Sequence, residues 1–562
     1  MKPGHEAVVL VAACAVLYLT GLGDIPFYTR GEPREGLVVR EMLRTGSWLV
    51  PARPEGEPAR KPPLYYWLAA TSLATLPDPP ERALRLPSAI AAAAAVVGTW
   101  ATARAIFGAP AALPAGLVLA TTFEWTRAAT SARVDMTLAA SLTAVLAAAM
   151  LALERGGRLW LVVAAAGATL GTLAKGPVAL VLPALAVVAL AVFQRNAAPL
   201  RLLPALGVAG IVGGLWYATA FAREGSAFLD VAVRENWLRF TDAERGATGH
   251  GHGILYLFPL GLVGLLPWTP LLPLVATPLR PERRPAALFA AAWVVTGVVF
   301  FSAAAAKRSV YLLPLAPAVA LLLGAGTTSG GDRRVARLGA AAYAPAALAL
   351  AAVAGAVALG LDAGSLAGPW LRSDSARDVD VLTAAARAAR PAILLVAVGT
   401  VIAATVVAHA AARGEWRRLV LVVAATFVVW TATFDAIFHP ALARAGSLRS
   451  FFSTVSARVD AAPLYAFYPP DPGLRFYAPA TLRRWPARGA PDDGHLLLWE
   501  DEWRRLRDES GRALPVLAVS EGRQGRRGHL ALVAAPRGRL VPAAESGGRA
   551  EPPGLRTGSR PP

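Results

Sequence analysis

Charged residues are scarce along this chain of 562 residues: they make up 17% of it, whereas hydrophobic residues make up 55%. A soluble chain of this length would divide into several domains with charged surfaces. Instead, long apolar runs recur from residue 7 to residue 438, and a helix needs about 20 apolar residues to cross the hydrocarbon core of a bilayer. The runs are rich in Ala, Gly and Pro, which membrane bundles tolerate and use for close packing. The composition therefore predicts a multi-pass integral membrane protein.

Several motifs of known chemistry are also absent. The sequence has no GxxxxGK[ST] loop, no GxSxG elbow and no HExxH helix, which excludes a P-loop ATPase. The single cysteine, Cys14, excludes an internal disulfide. The central apolar segments lack the buried ionisable residues that an ion-coupled transporter uses, so the sequence disfavours that class.

The apolar runs divide into about thirteen segments of near-spanning length, each bounded by polar residues or helix breakers. They cover residues 7–23, 84–106, 110–125, 135–153, 159–174, 177–193, 203–222, 254–278, 285–303, 309–326, 336–361, 391–411 and 418–438. We therefore predict a mainly α-helical fold, a polytopic bundle of about 13 transmembrane helices that forms a domain over residues 1–440.

The formal net charge of +19 lies mostly in short loops between the apolar runs. On a soluble protein this charge would suggest binding to nucleic acid. Here it indicates how the chain is oriented in the membrane and that it contacts anionic lipids. We therefore expect no nucleic acid partner. If the thirteen segments are real, every arginine-rich loop falls on one side. These loops carry Arg155 and Arg158; Arg195 and Arg201; Arg280, Arg283 and Arg284; Arg333, Arg334 and Arg337; and Arg413, Arg417 and Arg418.

The positive-inside rule makes the arginine side cytoplasmic. We therefore predict a protein of the cell (inner) membrane with a cytoplasmic N-terminus and an extracytoplasmic C-terminus. The outer side then holds two long loops, at 24–83 and 223–253, together with the C-terminal region.

The C-terminal region alternates short apolar strands with charged helical stretches, which predicts a small extracytoplasmic α/β domain over residues 441–536. The predicted strands are at 464–468, 495–499, 514–519 and 529–533. The tail at 537–562 is rich in Gly, Pro and Arg and is predicted to be disordered.

Lysine is almost absent, because only four of the 56 basic residues are Lys. Lys61, Lys175 and Lys307 all fall on the predicted outer side, and each adjoins a helix break. A compact ammonium group at such a site can hold a phosphate as a point charge. The alternative is that these side chains extend to the lipid headgroups.

Two carboxylates on the same side are candidate catalytic groups. Glu32 lies in the first outer loop, among charges of both signs, and Asp135 begins an apolar helix. A single acid near a helix N-terminus is also often only a cap. His250 and His252 could bind a metal in a Gly-rich loop, but no thiol or clear carboxylate partner accompanies them.

The order of these motifs resembles the bacterial aminoarabinose transferases of lipid A and their relatives, the polyprenyl-phosphate-sugar-dependent glycosyltransferases of the C-type fold, which are related to the protein O-mannosyltransferases. The matching stretches run in family order over about residues 20–320. They are Gly31–Trp67, Arg85–Ser88, Ala132–Met136, Lys175–Pro177, Glu235–Phe240, Leu266–Trp268 and Lys307–Pro314.

The resemblance implies an inverting transfer of a sugar from a polyprenyl phosphate to an extracytoplasmic lipid, glycan or protein acceptor. An acid in the first outer loop acts as base, and cations hold the departing polyprenyl phosphate. By motif position the acids are Glu32 and Asp135. Lys61, Lys175, Arg239 and Tyr311 match the family's phosphate or sugar contacts, and we predict Arg34 and Lys307 as further substrate-binding residues.

This chain departs from the family pattern at three positions. The family's Asp-Glu-x-Arg motif has Gly31 in place of its Asp, so Glu32 acts instead, or the acceptor is an ionised phosphate that needs no base, or activity is reduced. Arg60 and Arg234 replace a Glu and a His that look suited to metal binding. We therefore expect no metal and no required cofactor, and lipid A is a doubtful acceptor.

The alternatives are a transporter or flippase of lipid-linked sugars, a protein O-mannosyltransferase, or a catalytically impaired relative that acts as a binding or assembly subunit. A flippase would need polar residues at the membrane midplane, whereas the central segments are mostly Ala, Leu and Val. Gly31 is the feature that favours an impaired relative.

Overall fold

The computed structural model describes residues 2–29, 31–242, 252–279, 285–328, 333–367, 373–459, 462–466, 471–479, 482–484, 494–510, 514–521 and 528–534. The chain divides into two compact units, Met1–Ala443 and Arg444–Pro562. The division lies close to the one placed at residues 440/441 from the sequence. His250 and the tail at 537–562, for which a metal contact and disorder were considered, lie outside the described residues.

The first unit is mainly helical. Its α-helices are α1 (Pro3–Leu19), α2 (Gly31–Thr45), α3 (Leu64–Thr75), α4 (Pro80–Phe107), α5 (Ala109–Ala120), α6 (Phe123–Ala129), α7 (Val134–Arg155), α8 (Arg158–Lys175), α9 (Val178–Gln194), α10 (Leu203–Glu224), α11 (Ser226–Val233), α12 (Arg239–Thr241), α13 (Leu257–Gly264), α14 (Pro285–Ala303), α15 (Ala316–Gly326), α16 (Arg333–Ala358), α17 (Ala363–Ala367), α18 (Ser373–Ala388), α19 (Arg390–Arg413), α20 (Trp416–Thr433) and α21 (His439–Gly446). Tighter 3₁₀ turns lie at Ala198–Leu202, Ile254–Tyr256, Thr269–Leu279 and Ser309–Leu315, and wider π turns at Arg234–Leu238 and Phe434–Phe438.

Every apolar run identified in the sequence coincides with helical structure, so the predicted helical membrane bundle is confirmed. Within the described residues, eight helices are long and apolar enough to cross a membrane, or nine if the pair Ile254–Gly264 and Thr269–Thr277, bent by 97°, is one span. The count of about thirteen spans is therefore not established. Three of the predicted segments form apolar helices of only 10–17 residues, namely Pro3–Leu19, Ala109–Ala120 and Val178–Gln194.

Two spans form the centre of the bundle. In the most apolar part of α7 and of the segment Ser309–Gly326, 78% of the residues are buried, whereas the share is only 17–39% in the other six spans. Small residues allow close approach here: a Cβ atom added at Gly324 of α15 would lie 2.7 Å from Ala115 Cβ and 2.9 Å from Ala115 N of α5. Close packing of this kind stabilises a membrane bundle, because the hydrophobic effect does not drive helices together in lipid.

The two kinds of loop lie at opposite ends of the helices. Arg155, at the end of α7, donates to Ala105 O of α4, and Arg201 donates to Ala152 O of α7. At the other end of α7, Asp135 bonds Lys175, the last residue of α8. With 22 residues at 1.5 Å per residue, α7 separates the two ends by about 33 Å. The arginine loops and the lysine positions therefore belong to different faces of this part of the bundle.

Helix α2, in the first long loop, is attached to the span α4 by a buried ion pair. Arg85 Nε and Glu32 Oε1 are 2.8 Å apart, and Arg85 Nη2 and Glu32 Oε2 are 3.1 Å apart. Arg85 also donates to the carbonyls of Leu22 and Ile25, and Ala132 N donates to Glu32. One guanidinium thus joins α2, α4 and the segment before α2, and Glu32 joins α2 to the start of α7.

The second unit contains a five-stranded sheet of order β2-β1-β3-β5-β4, which confirms the predicted C-terminal α/β architecture. The strands are β1 (Leu464–Ala466), β2 (Leu482–Arg484), β3 (His495–Trp499), β4 (Val516–Val519) and β5 (Leu530–Ala534), and the helices are α22 (Arg449–Val459), α23 (Pro472–Tyr477) and α24 (Glu500–Ser510). Strand β1 is parallel to both of its neighbours, whereas β5 is antiparallel to β3 and β4.

The apolar side chains of β3 point alternately to the two faces of the sheet. Leu497 and Trp499 pack with α22, whereas Leu496 and Leu498 pack with Leu506 of α24, so both faces are covered. Strand β2 was not predicted from the sequence, because Leu-Arg-Arg has no apolar alternation and its place is the edge of the sheet.

The Arg85→Leu substitution should destabilise the first unit, because it leaves the Glu32 carboxylate buried without its cation. Breaking a buried pair in this way costs about 3–5 kcal/mol. Arg44→Leu is the matched control, since it removes a pair to Glu41 whose arginine is exposed. Thermal unfolding in detergent should show a clearly lowered Tm for Arg85→Leu alone; equal Tm values for both variants would contradict a role of this pair in holding α2.

Candidate active site

A cavity of about 410 Å³ lies in the first unit, at the end of α7 and α8 that faces α2. Its walls come from α2, Lys61 in the segment before α3, the start of α7, the junction of α8 and α9, the π turn with α12, the end of α14 and the residues that lead into α15. The lining residues are Arg34, Glu35, Lys61, Arg133, Val134, Asp135, Leu138, Lys175, Pro177, Val178, Val181, Glu235, Asn236, Trp237, Arg239, Phe240, Phe300, Phe301, Ala304, Ala306, Arg308, Val310, Tyr311 and Pro314.

The polar part of this cavity carries an excess of positive charge. Six cationic side chains but only three carboxylates line it, an excess of three positive charges. The carboxylates are Glu35, Asp135 and Glu235, and each holds at least one of the cations. An excess of fixed cations beside an enclosed space favours an anionic ligand.

Glu235 connects the second long loop with the first. Its Oε2 accepts from Lys61 Nζ at 2.6 Å and from Arg239 Nη1 at 2.5 Å. Burial opposes ionisation of Glu235, but Lys61 and Arg239 outweigh it and hold its pKa at about 2. Burial, together with Arg239 and Lys175, lowers the pKa of Lys61 to about 8, although Glu235 favours its charged form.

Asp135 is the centre of a second group. Its Oδ1 accepts from Lys175 Nζ at 2.5 Å, and its Oδ2 accepts from Arg133 Nε at 3.1 Å. The Lys175 ammonium also lies 5.2 Å from the centre of the Tyr311 ring, within the range of a cation–π contact. Gly176, with φ at +90°, permits the tight turn that ends α8 at this lysine.

Glu35 is the carboxylate contributed by α2. Its Oε1 accepts from Arg34 Nη2 at 2.6 Å, and its Oε2 accepts from the Tyr66 hydroxyl at 2.7 Å. Burial favours the protonated form of Glu35, but Arg34 and Tyr66 outweigh it and keep its pKa below the ordinary value. Burial raises the pKa of the Tyr66 hydroxyl, and the neighbouring Glu35 carboxylate raises it further.

Arg308 lines the cavity in extended conformation, directly before the turn Ser309–Leu315. It forms no ion pair with the carboxylates of the described residues. Its burial and the neighbouring charges of Arg133 and Arg239 lower its pKa, although Asp135 acts in the other direction. In the same cavity, Arg239 Nε is buried and has no hydrogen-bond partner among the described residues. The cavity therefore contains cationic donors with capacity for a further acceptor.

The other part of the cavity is apolar and aromatic. Phe240 stacks on Phe300 with ring centres 5.0 Å apart, Phe300 contacts Phe301 at 5.1 Å, and Phe301 contacts Tyr311 at 5.7 Å. These four rings form a continuous wall, here called the aromatic wall. Because the Tyr311 ring lies against Lys175, the wall ends at the cationic part.

Six of the eight residues singled out from the sequence line this one cavity: Arg34, Lys61, Asp135, Lys175, Arg239 and Tyr311. Glu32 and Lys307 do not. Glu32 is turned to Arg85, as described above. Lys307 is 4% exposed and donates to the carbonyls of His252 and Ala304, so its ammonium supports backbone rather than lining the cavity.

Four charged residues that line the cavity were not singled out from the sequence: Glu35, Arg133, Glu235 and Arg308. Each of the four lies within one of the stretches that carry the family resemblance, so these stretches contribute all of the charged lining of the cavity. Which residue of each motif faces the cavity depends on helix rotation, which a motif does not give. The i,i+4 spacing of Glu235 and Arg239 is the one local signal of a pair.

The described residues around the cavity do not form a usual set of metal ligands. In the described parts of the chain there is no group of three or more His, Cys, Asp or Glu side chains able to hold one. Arg60 lies close enough to lower the pKa of Glu235, so positive charge already stands beside the nearest carboxylate. His252 stacks on Tyr256, with ring centres 3.7 Å apart.

The sequence matches a family of known proteins described as dolichyl-phosphate-mannose-protein mannosyltransferase, over residues 60–215. The chain is 29% identical to the undecaprenyl phosphate-alpha-4-amino-4-deoxy-L-arabinose arabinosyl transferase of Pectobacterium atrosepticum over 331 residues, 57% of this chain and 58% of that protein. It is 28% identical to the protein of that name from Aeromonas salmonicida, over 55% of this chain and 58% of that protein. The matches thus span less than two thirds of these relatives.

The fold extends further than the sequence match. ArnT from Cupriavidus metallidurans bound to undecaprenyl phosphate superposes with a TM-score of 0.77 over 95% of this chain and 99% of that chain, at 21% identity. Its apo state gives 0.74 over the same shares. The resemblance predicted from the motifs is therefore confirmed: this chain is similar in sequence to the aminoarabinose transferases and has the fold of one of them over nearly its whole length.

Proposed function

We propose that this protein is a membrane glycosyltransferase that moves a sugar from a polyprenyl phosphate to an extracytoplasmic acceptor with inversion. The observation that carries the proposal is the composition of the cavity, in which an excess of three positive charges adjoins the aromatic wall. A polyprenyl phosphate combines the two matching features, an anionic phosphate and an apolar chain.

The phosphate explains charges that the protein itself leaves uncompensated. Buried cations are costly unless they are paired, and Arg308 has no carboxylate partner among the described residues while Arg239 Nε lacks an acceptor. Charge-assisted hydrogen bonds to a phosphate would satisfy both. These bonds strengthen as negative charge grows on the leaving phosphate, which is how fixed cations favour the transition state.

The aromatic wall fits the first isoprene units of the carrier. Phe240, Phe300 and Phe301 offer apolar surface directly beside the cations. Ligand sites typically combine mostly apolar lining with a few convergent polar groups, and a cavity of about 410 Å³ is sufficient for a sugar phosphate with the start of its chain.

The reaction itself requires one bond to form and one to break. The acceptor oxygen forms a bond to the anomeric carbon, while the bond from that carbon to the phosphate oxygen breaks and its electron pair leaves with the polyprenyl phosphate. A hydroxyl acceptor also loses its proton to a carboxylate. The proposal needs neither a metal nor a cofactor, because cationic side chains hold the leaving group.

The position of the cavity supports an extracytoplasmic reaction. It lies at the end of α7 opposite the arginine loops, which the positive-inside rule assigns to the cytoplasm. The N-terminus is then cytoplasmic and the C-terminal unit extracytoplasmic. The names of the curated relatives, arabinosyl transferases that use undecaprenyl phosphate, and the undecaprenyl phosphate bound to ArnT support the donor class. They leave the sugar and the acceptor of this protein open.

Arg308→Gln should weaken binding of undecaprenyl phosphate to the purified protein by about tenfold to a hundredfold, because a charge-assisted hydrogen bond contributes about 1.5–3 kcal/mol. Transfer from a panel of undecaprenyl phosphate-linked hexoses and pentoses to native membranes should fall in parallel. Binding is read by displacement of a labelled undecaprenyl phosphate in nanodiscs.

Arg158→Gln is the matched control, because this arginine begins α8 at the end opposite the cavity. It should bind and transfer like the unaltered protein. Equal binding by both variants would contradict the phosphate site. Movement of the labelled donor across a proteoliposome membrane without sugar transfer would contradict the enzyme and favour a flippase.

Lys61 should make phosphate binding depend on pH. Its pKa of about 8 lies below the ordinary value of 10.5, so Lys61 is charged below pH 8 and loses its charge as the pH rises through that value. The dissociation constant for undecaprenyl phosphate should therefore increase between pH 7 and pH 9. Lys61→Arg keeps its charge throughout this range and should remove the dependence; identical pH profiles would contradict a phosphate contact of Lys61.

A further inference from the structure

Glu35 lines the cavity in the place where the sequence led us to expect Glu32. We infer that the Glu35 carboxylate accepts the proton of the acceptor hydroxyl, an inference that rests on the proposed transfer reaction and adds to it the identity of its base. Glu32 instead fixes α2 to α4 through Arg85.

Helix α2 has three carboxylates, and their surroundings separate their roles. Glu32 is buried with both oxygens held by Arg85. Glu41 pairs with the exposed Arg44 and does not line the cavity. Only Glu35, among the acids of α2, has its side chain at the cavity.

Among the three cavity carboxylates, Glu35 is neutralised least. Asp135 is in direct contact with two cations, Lys175 and Arg133. Glu235 also contacts two, Lys61 and Arg239. Glu35 contacts one cation, Arg34, and its other oxygen accepts from the neutral Tyr66 hydroxyl. A carboxylate with fewer cationic contacts is the better proton acceptor.

The helix geometry supplies a reason for a base at this position. Gly31 begins α2 and lies four residues before Glu35, so the two share one face of the helix. Gly31 has no side chain, and a Cβ atom added there would lie 2.7 Å from Arg133 Nη1. A guanidinium therefore fills the space that a carboxylate at residue 31 would occupy, and the next acid on that face is Glu35.

The charges of the reaction allow an ionised Glu35 to take a proton. Arg34 and Tyr66 keep its pKa low at rest, so the carboxylate is charged when the acceptor arrives. When the bond to the donor phosphate breaks, the phosphate gains a negative charge in the same cavity. A like charge nearby raises the pKa of a carboxyl group, so Glu35 becomes a better acceptor as the acceptor oxygen bonds the anomeric carbon. Release of polyprenyl phosphate then returns the proton to water.

The test is a set of variants assayed with undecaprenyl phosphate-linked sugars and native membranes. Glu35→Gln keeps the hydrogen bonding shape but cannot accept the proton, so kcat should fall about 10²–10⁴-fold, while displacement of labelled undecaprenyl phosphate changes less than about threefold. The acid limb of the pH profile of the unaltered enzyme should disappear in this variant. Glu41→Gln, on the same helix but away from the cavity, should match the unaltered enzyme.

A second carboxylate on the same face provides a rescue experiment. Gly31→Asp introduces an acid one turn earlier, and only the flexible end of Arg133 has to move. When it is added to Glu35→Gln, Gly31→Asp should raise kcat at least about tenfold above that of Glu35→Gln alone. Gly31→Asn should not raise it. A merely structural role of Glu35 predicts no such difference between Asp and Asn.

The outcomes separate this inference from the proposed function. If the unaltered protein transfers sugar and Glu35→Gln transfers it equally fast, Glu35 is not the base, and an already ionised acceptor such as a phosphate is favoured. If Glu35→Gln is slow but neither Gly31 variant differs from the other, the inference is also overturned. If the unaltered protein neither binds undecaprenyl phosphate nor transfers sugar, both proposals are wrong.

Discussion

The interaction on which this structure depends is the attraction between six cations and three carboxylates around one cavity at the end of a membrane bundle. Two of the carboxylates form ion pairs between elements that are separate in sequence: Glu235 joins Lys61, three residues before α3, to the second long loop, and Asp135 joins α7 to α8. The ion pairs thus build the cavity, and the cations in excess of them determine what it binds. A fully neutralised cavity would be stable but would have no affinity for an anion.

The excess positive charge and the aromatic wall have different roles in the proposed reaction. The cations compensate the phosphate before the reaction and gain more when the leaving group acquires charge. The wall holds the apolar chain and keeps the cations in an environment where their field is screened less than in water. Glu35, on a helix outside the membrane spans, lines the same cavity from the side of the first long loop.

The sequence predicted the helical bundle and the C-terminal sheet domain, and the features that it could not determine have physical causes. Apolar runs mark helices reliably, but their length does not distinguish a span from a short buried helix such as α5 or from a bent pair such as Ile254–Gly264 with Thr269–Thr277. The motifs selected Lys61, Asp135 and Lys175, which line one cavity. They did not show that Glu35 rather than Glu32 lines it, because this depends on which face of α2 meets Arg85.

Lys307 and Arg308 show the same limitation. Adjacent residues in an extended segment point to opposite sides, so one cation lines the cavity and the other bonds backbone carbonyls. The rarity of lysine drew attention to Lys307, whereas Arg308 beside it is the side chain that lines the cavity. Local chemistry identified the segment, and only the packing of α14 against the turn Ser309–Leu315 determines which side chain is used.

The most direct test of the central claim is a cryo-electron microscopy structure of the protein in nanodiscs with undecaprenyl phosphate. The phosphate should lie within hydrogen-bond distance of Arg308, with Lys175 and Arg239 around it, and the isoprenoid chain should follow the aromatic wall. Lipid density elsewhere on the bundle, with this cavity filled only by water, would contradict the claim.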